Sequence, residues 1–478
     1  MSQTHEEKSS VNVGALLVCI LLGLALWFSP HPDSIPNEGW HMLAIFVATI
    51  VGVILKPLPM GAVAFIALAL ILLTKTLPLK AAMDGFASPI VWLVVFALFI
   101  AKGFNVTGLG TRLAYLFTMW LGKGPLGLSY GLAMTDLMMA PAIPSVTGRL
   151  AGIVLPIMQR ISDSYESFPN SPTARKLGSY LCVTLFQTTV ISCTMFMTAM
   201  AANPLLEQLT NKQQIENVSI TWGTWALAAI VPGLLSLLCI PLIIHFIYPP
   251  HVRETPEAPR IAREKLKELG PMKGSEWIMA GTVVILLLLW GFGSTIQLDP
   301  MIAAMIGLSI LMLTGILDWH SLVRIFTAWE TMFWFAILLT MAGSLGTLGV
   351  IPWFNDWVQT AVHGIDWRIS FPILALFYFY SHYAFASCTA HVASMYIPFL
   401  LLSIALGTPP MLATLVLIFF SNLFGGLTHY SLTPAPIMYG MGYVDIKDWW
   451  RIGFIISVVN ILIWCFLGAA WWKLLGLW

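Results

Sequence analysis

Ser145, Thr147 and Arg149 recur 242 residues later as Ser387, Thr389 and His391. Two hydroxyls followed by a basic side chain are groups that hold an anion. The hydroxyls donate to carboxylate oxygens and the cation balances their charge. The surroundings recur as well. SVTGRLAGIVLPI (residues 145–157) lies over SCTAHVASMYIPF (residues 387–399), sharing Ser, Thr, Ala151/Ala393 and Pro156/Pro398. Val146 and Cys388 occupy the middle of each triplet. A single Ser-x-Thr carries no information, because Ser and Thr close turns everywhere. Two in a shared thirteen-residue frame mark an internal repeat. In a membrane protein, such a repeat is the trace of a two-fold carrier with its site between the halves.

Composition places the chain in a membrane. Of its 478 residues, 58% are hydrophobic and only 9% charged, and the mean hydropathy is +0.84. Soluble domains carry roughly 25% charged residues. A net charge of +1 gives no nucleic-acid signal. The 20 Trp and 12 Tyr suit interfacial belts. Six cysteines lie in apolar runs without CxxC spacing and read as small hydrophobes, with no metal site or disulfide framework. The first apolar segment lacks a small-residue cleavage site and a basic leader, so it reads as a retained helix.

The expected fold is an all-α polytopic membrane protein of about eleven spanning helices plus two re-entrant hairpins in an inverted repeat. The spacing predicts helices one to four over residues 11–28, 38–55, 60–76 and 89–106, then an amphipathic piece at 110–121. Hairpin one covers 126–163, helix five 177–202 and helix six 224–248. A charged loop, 249–276, reads as a solvated amphipathic linker. Helices seven to nine cover 277–294, 301–317 and 331–347. Hairpin two covers 371–407, and helices ten and eleven 410–433 and 451–475. With the N-terminus in the cytoplasm, most Lys and Arg fall inside, including Arg253, Arg260, Arg263, Lys265, Lys267 and Lys273 of the long loop. The two hairpins then enter from opposite sides.

Each hairpin arm is too short to cross the roughly 30 Å hydrocarbon core, so each Ser-x-Thr turn is expected near the midplane. Irregular backbone is tolerated there only inside protein or beside a wet cavity. Ser and Thr are preferred N-caps, and a helix start offers unpaired N–H groups and the positive end of a dipole. Two such starts facing one point would suit an anion with two carboxylates. Arg149 and His391, two residues past each Thr, are expected to balance its charge. For Arg149 the alternative is snorkelling to the cytoplasm, and for His391 a satisfied core histidine. Helix five carries Thr188, Thr189, Ser192, Thr194 and Thr198. Helix ten carries Ser421, Asn422, Gly425, Gly426, Thr428, Thr433 and Pro434, and its Gly pair and Pro predict breaks. Asp136 and Lys102 could pair with each other or face water.

SNLFGGLTHYSLTPAPIMYGMGYVDIKDWW (421–450), MFWFAILLTMAGSLGTLGVIPWF (332–354) and the PSVTGR/ASCTAH tips resemble the divalent anion/sodium symporter family, its exchanger branch especially. That branch holds plastid 2-oxoglutarate/malate translocators and bacterial citrate/succinate and tartrate/succinate antiporters. The resemblance implies substrate binding by Ser145, Val146, Thr147, Ser387, Cys388 and Thr389 at the tips, with Thr198, Thr433 and Pro434 matching unwound parts of helices five and ten. The symporters carry Asn where Val146 and Cys388 stand, so the resemblance implies no cofactor and disfavours sodium.

The resemblance further implies an elevator-type carrier that forms a homodimer in the bacterial inner membrane. Its scaffold domain would comprise residues 1–121 and 277–368. Its transport domain would comprise 122–248 and 369–478, with 249–276 a cytoplasmic loop. The expected activity is sodium-independent exchange of di- or tricarboxylates. A sodium-coupled dicarboxylate symporter, a channel and a membrane-embedded hydrolase using Ser145 or Ser387 with His391 or His382 stay open. Neither Ser has a GxSxG context or an evident general base.

Overall fold

A computed structural model describes residues 11–293, 295–353 and 366–478; the polar N-terminal tail and Ser294, the last residue of the expected seventh helix, lie outside them. All regular structure among the described residues is helical. Among the described residues seven helices are long and apolar enough to span a bilayer: Asn37–Leu55, Pro89–Thr107, Trp222–Ile247, Gly274–Phe292, Phe326–Thr347, Cys388–Ala405 and Ile446–Leu474. Shorter apolar helices, Val13–Trp27, Met60–Leu73, Pro300–Leu313 and Pro410–Gly426, coincide with further expected spans.

The expected fifth helix is the exception, and its exposure explains why. Gly178–Met195 is too polar to qualify as a lipid-facing span, yet every one of its residues is buried. A helix enclosed by protein needs no apolar exterior. Pro410–Leu423 is nearly as enclosed, with Met411 to Leu423 all buried, and the two helices pack on each other. Around them lie Trp222–Ile247, Ile446–Leu474 and the two hairpins. A second group, Val13–Trp27, Asn37–Leu55, Met60–Leu73, Pro89–Thr107, Gly274–Phe292, Pro300–Leu313 and Phe326–Thr347, packs mainly within itself.

Both central helices break, as the Gly and Pro positions predict for helix ten. The fifth helix ends earlier than residue 202. Phe196 is extended (φ −130°, ψ 136°), a 3-10 turn covers Met197–Ala199, and helix resumes over Ala202–Lys212. The freed carbonyls find side-chain donors. Asn203 Nδ2 donates to Cys193 O (2.8 Å) and Phe196 O (3.0 Å), and Trp225 Nε1 donates to Thr194 O (2.9 Å). Without such partners a buried break would leave several orphan acceptors. In the tenth helix a 3-10 turn, Phe424–Gly426, follows Leu423, and helix returns at Ala435–Gly440.

The loop at 249–276 is more ordered than a solvated linker. Glu257–Leu269 is a helix that buries Ala258 and Ala262 and packs along Leu109–Leu121. Arg112 anchors it, donating through Nε to Glu276 Oε1 (2.6 Å), through Nη2 to Oε2 (3.0 Å) and through Nη1 to Gly270 O (2.9 Å). The small alanines let the two backbones approach, the Gly270 bond holds the end of the loop helix, and the bidentate pair ties Leu109–Leu121 to the start of Gly274–Phe292.

Candidate substrate site

Hairpin one runs out along Pro125–Met139, turns through Ala140–Ala142 and the extended Ile143, and returns over residues 146–164. Ser145 caps the return helix in extended conformation (φ −85°, ψ 97°), its Oγ accepting from Gly148 N at 3.1 Å. Past that turn the helix relaxes to π geometry over Leu150–Val154, before Pro156, whose ring nitrogen has no proton to bond. Hairpin two repeats the plan. Trp367–Tyr380 packs on Cys388–Ala405. Ser387 caps the return helix (φ −157°, ψ 124°), its Oγ accepting from Ala390 N at 3.3 Å.

The tips expose their hydroxyl residues and bury their middle ones. Ser145, Thr147, Ser387 and Thr389 are half-buried, whereas Val146 and Cys388 are 4% and 5% exposed. Thr147 Oγ1 is covered yet has no hydrogen-bond partner among the described residues. The Cys388 thiol is occupied, donating to Ser431 O at 3.1 Å. The middle positions therefore turn toward the protein, and each tip sets a half-buried Ser and Thr beside the N–H groups of a starting helix, the Thr147 hydroxyl oxygen being covered.

Arg149 sits where the repeat put it but is bound differently from the expected substrate countercharge. Its side chain is fully buried, which removes the snorkelling alternative. Nε donates to Asp136 Oδ1 at 2.8 Å, and Nη1 donates to Ala199 O at 2.8 Å and to Ile143 O. Nη2 lies 3.3 Å from Cys193 Sγ. A guanidinium taken out of water requires a paired carboxylate and carbonyl acceptors, and here it has both. Arg149 thus ties the first arm, the turn and the break of the fifth helix together, with its charge already balanced. Asp136, undecided in the sequence, is the partner. Lys102 is elsewhere, donating to Ser321 O at 3.0 Å.

Thr198 is committed too: Oγ1 donates to Pro141 O at 2.5 Å and accepts from Trp222 Nε1 at 3.1 Å. It fastens the fifth-helix break to hairpin one. Pro434 is buried and Thr433 exposed in the turn before Ala435–Gly440. Gln187, which the sequence did not single out, and His382, considered there only as a hydrolase base, connect the second half. Gln187, buried mid-helix, donates through Nε2 to Gly426 O at 2.8 Å. His382, fully buried, meets His391 with their Nδ1 atoms 3.0 Å apart. A signal for Gln187 was available: an amide in the middle of a membrane helix needs a partner.

The two tips are linked through the paired central helices. Arg149 touches Cys193 on one; Gln187 of that helix holds Gly426 of the other. Beside it, a Cβ on Gly425 would lie 3.4 Å from Cys388 Sγ, so the second tip packs directly on that break. The constellation places two capped helix starts beside two broken helices. It supplies no activated nucleophile, because Ser145 and Ser387 accept from backbone and have no base in hydrogen-bond reach among the described residues.

Comparison with known proteins agrees. The chain is 50% identical over 468 residues to the chloroplastic dicarboxylate transporter 1 of Arabidopsis thaliana, covering 97% of this chain and 83% of that one. It is 47% identical over 472 residues to the putative malate transporter YflS of Bacillus subtilis (strain 168), covering 99% and 98%. It is 33% identical over 488 residues to the citrate/succinate antiporter of Escherichia coli (strain K12), covering 98% and 99%. The crystal structure of the Alcanivorax borkumensis YdaH transporter superposes with a TM-score of 0.54 at 12% identity, covering 97% of this chain and 96% of that one, and so shares the fold. The model of the sodium:sulfate symporter transmembrane region matches residues 10–478. The chain belongs to that divalent anion/sodium symporter family and is a multi-pass membrane transporter, not an enzyme.

Proposed function

We propose that this protein exchanges di- or tricarboxylates across the bacterial inner membrane by an elevator movement. The observation that carries the reading is the pair of half-buried Ser N-caps at the starts of repeat-related return helices, each packed on a broken central helix. One carboxylate at each tip would take up the Ser and Thr hydroxyls and the free N–H groups. The relatives are named as transporters of dicarboxylates, malate, and citrate with succinate.

The tips do not suit sodium. A hard cation takes oxygen ligands, whereas the middle positions supply a buried Val146 and a Cys388 thiol already given to Ser431 O. The exchange reading rests on desolvation. An empty tip would carry its unpaired hydroxyls and N–H groups, Thr147 Oγ1 among them, past an apolar scaffold. An anion on either side satisfies them, so the loaded carrier crosses and the empty one lags. In this reading residues 122–248 and 369–478 move, residues 1–121 and 277–368 stay and form a homodimer contact, and the N-terminus lies in the cytoplasm.

The test is counterflow in proteoliposomes. Labelled dicarboxylate should enter only vesicles preloaded with dicarboxylate, at equal rates in sodium and in choline. Sodium-driven accumulation in vesicles lacking internal substrate would overturn the exchange reading.

A further inference from the structure

Four hydrogen bonds form an unbroken row beneath the second tip. Ser381 Oγ lies 2.8 Å from Tyr378 O and 3.1 Å from His391 Nε2. His391 Nδ1 lies 3.0 Å from His382 Nδ1, and His382 Nε2 lies 3.1 Å from Ser431 O. Both ends of the row are carbonyl oxygens, which only accept. Four links therefore call for four protons. With both imidazoles neutral the row holds three: one on the Ser381 hydroxyl and one on each histidine. The Ser431 end claims the His382 proton for Nε2, which leaves His382 Nδ1 an acceptor and makes His391 Nδ1 the donor. Ser381 can then serve either Tyr378 O or His391 Nε2, and one link is empty. A single added proton, on His391 Nε2, fills every link.

The surroundings suit that cation once an anion is near. The two imidazoles lie almost in one plane, 11° apart with centroids at 5.2 Å. Phe424 stacks on both, at 3.9 Å from His382 and 4.5 Å from His391, and Phe385 covers His391 at 4.4 Å. Aromatic faces attract a cation. The other titratable neighbours are Cys388 on the return helix, its Sγ 3.8 Å from His382 Nε2, and Tyr378 on the first arm, its ring 4.8 Å from His391. From the tenth helix Ser421 meets the Tyr378 hydroxyl at 2.7 Å. Among the described residues no Asp, Glu, Lys or Arg hydrogen bonds to either ring. Alone, a positive His391 in the first turn of Cys388–Ala405 opposes both burial and the helix dipole. A carboxylate seated at that helix start reverses both terms.

We propose that the His382–His391 pair takes up one proton together with each anionic substrate and releases it when the substrate leaves. The proposal rests on the carboxylate reading above. It replaces a fixed countercharge by a dissociable one, and in a one-for-one exchange the carried protons cancel.

Titration calorimetry of the detergent-solubilised protein with 2-oxoglutarate tests it. Both carboxyls of that acid stay ionised above about pH 6. In two buffers of different ionisation enthalpy, the heats should differ by one proton taken up per substrate bound. Above the pH at which the free pair titrates, the dissociation constant should rise about tenfold per pH unit, as one linked proton requires. His382→Gln and His391→Gln should each bring the proton count to zero. Binding with no proton uptake in the wild-type protein overturns the proposal and leaves the carboxylate reading standing. Uptake that persists in both variants places the proton elsewhere and also overturns it. Absence of any binding of 2-oxoglutarate, citrate or succinate would instead remove the carboxylate reading. Because the wild-type measurement suffices alone, poor folding of a variant does not spare the proposal.

Discussion

Asp136 and Arg149 meet at 2.8 Å, both fully buried, across the tip of hairpin one. The 242-residue repeat carries them onto Tyr378 and His391, whose rings lie 4.8 Å apart across the tip of hairpin two. Each tip is therefore braced between the same two positions, by an ion pair in one half and by an aromatic contact in the other. The brace is geometric, and only its chemistry has diverged. The asymmetry leaves the first tip permanently balanced in charge and the second able to change it.

Asp136→Asn should strip Arg149 of its countercharge. Breaking one side of a buried pair costs about 3–5 kcal/mol, so thermal unfolding in detergent should fall sharply. The double variant Asp136→Leu/Arg149→Met should recover much of that loss, since an apolar pair of similar volume leaves no buried charge. Equal destabilisation in the single and double variants would show that Arg149 is held by its carbonyl bonds and not by the carboxylate.

Ser145→Ala and Thr147→Ala should separate stability from binding. Ser145 Oγ caps Gly148 N, so its loss should cost about 1 kcal/mol of stability as well as substrate affinity. Thr147 Oγ1 has no hydrogen-bond partner among the described residues. Its removal should leave the melting temperature in place and weaken substrate binding by about 1–3 kcal/mol. Unchanged affinity in Thr147→Ala would exclude that hydroxyl from the site.

Gly453→Ala should disturb the tenth-helix break from behind. A Cβ there would lie 2.6 Å from Leu427 O and 2.7 Å from Gly426 O, both backbone atoms that cannot swing aside. Overpacking of this kind costs about 1–3 kcal/mol, and exchange should slow because Gly426 O is also the acceptor of Gln187. Gln187→Leu should reproduce the kinetic defect by leaving that carbonyl unpaired. Wild-type exchange rates in both would mean that the break does not shape the site.

Much of this protein was legible in its sequence because membrane burial is written in composition. A chain with 9% charged residues must hide its backbone in helices. The Ser-x-Thr repeat located both tips, and Gly425 and Gly426 located a break, because N-caps and helix-breaking residues act locally. The fifth helix stops at Met195, short of the expected residue 202, because Asn203 takes the carbonyls of Cys193 and Phe196 and Trp225 that of Thr194, contacts that no local signal announces. The polar spacing of 249–276 shows an amphipathic linker but not the docking of Glu257–Leu269 on Leu109–Leu121, which is a long-range contact.

Residue order sets where the polar groups of the site stand along the chain. Tertiary structure decided what each one bonds to. Arg149 and His391 occupy one position in the repeat, yet one is spent on Asp136 and the other faces His382. Hydrogen bonds and ion pairs saturate within about 3 Å, and which partner falls within that reach is a property of packing, not of spacing along a helix.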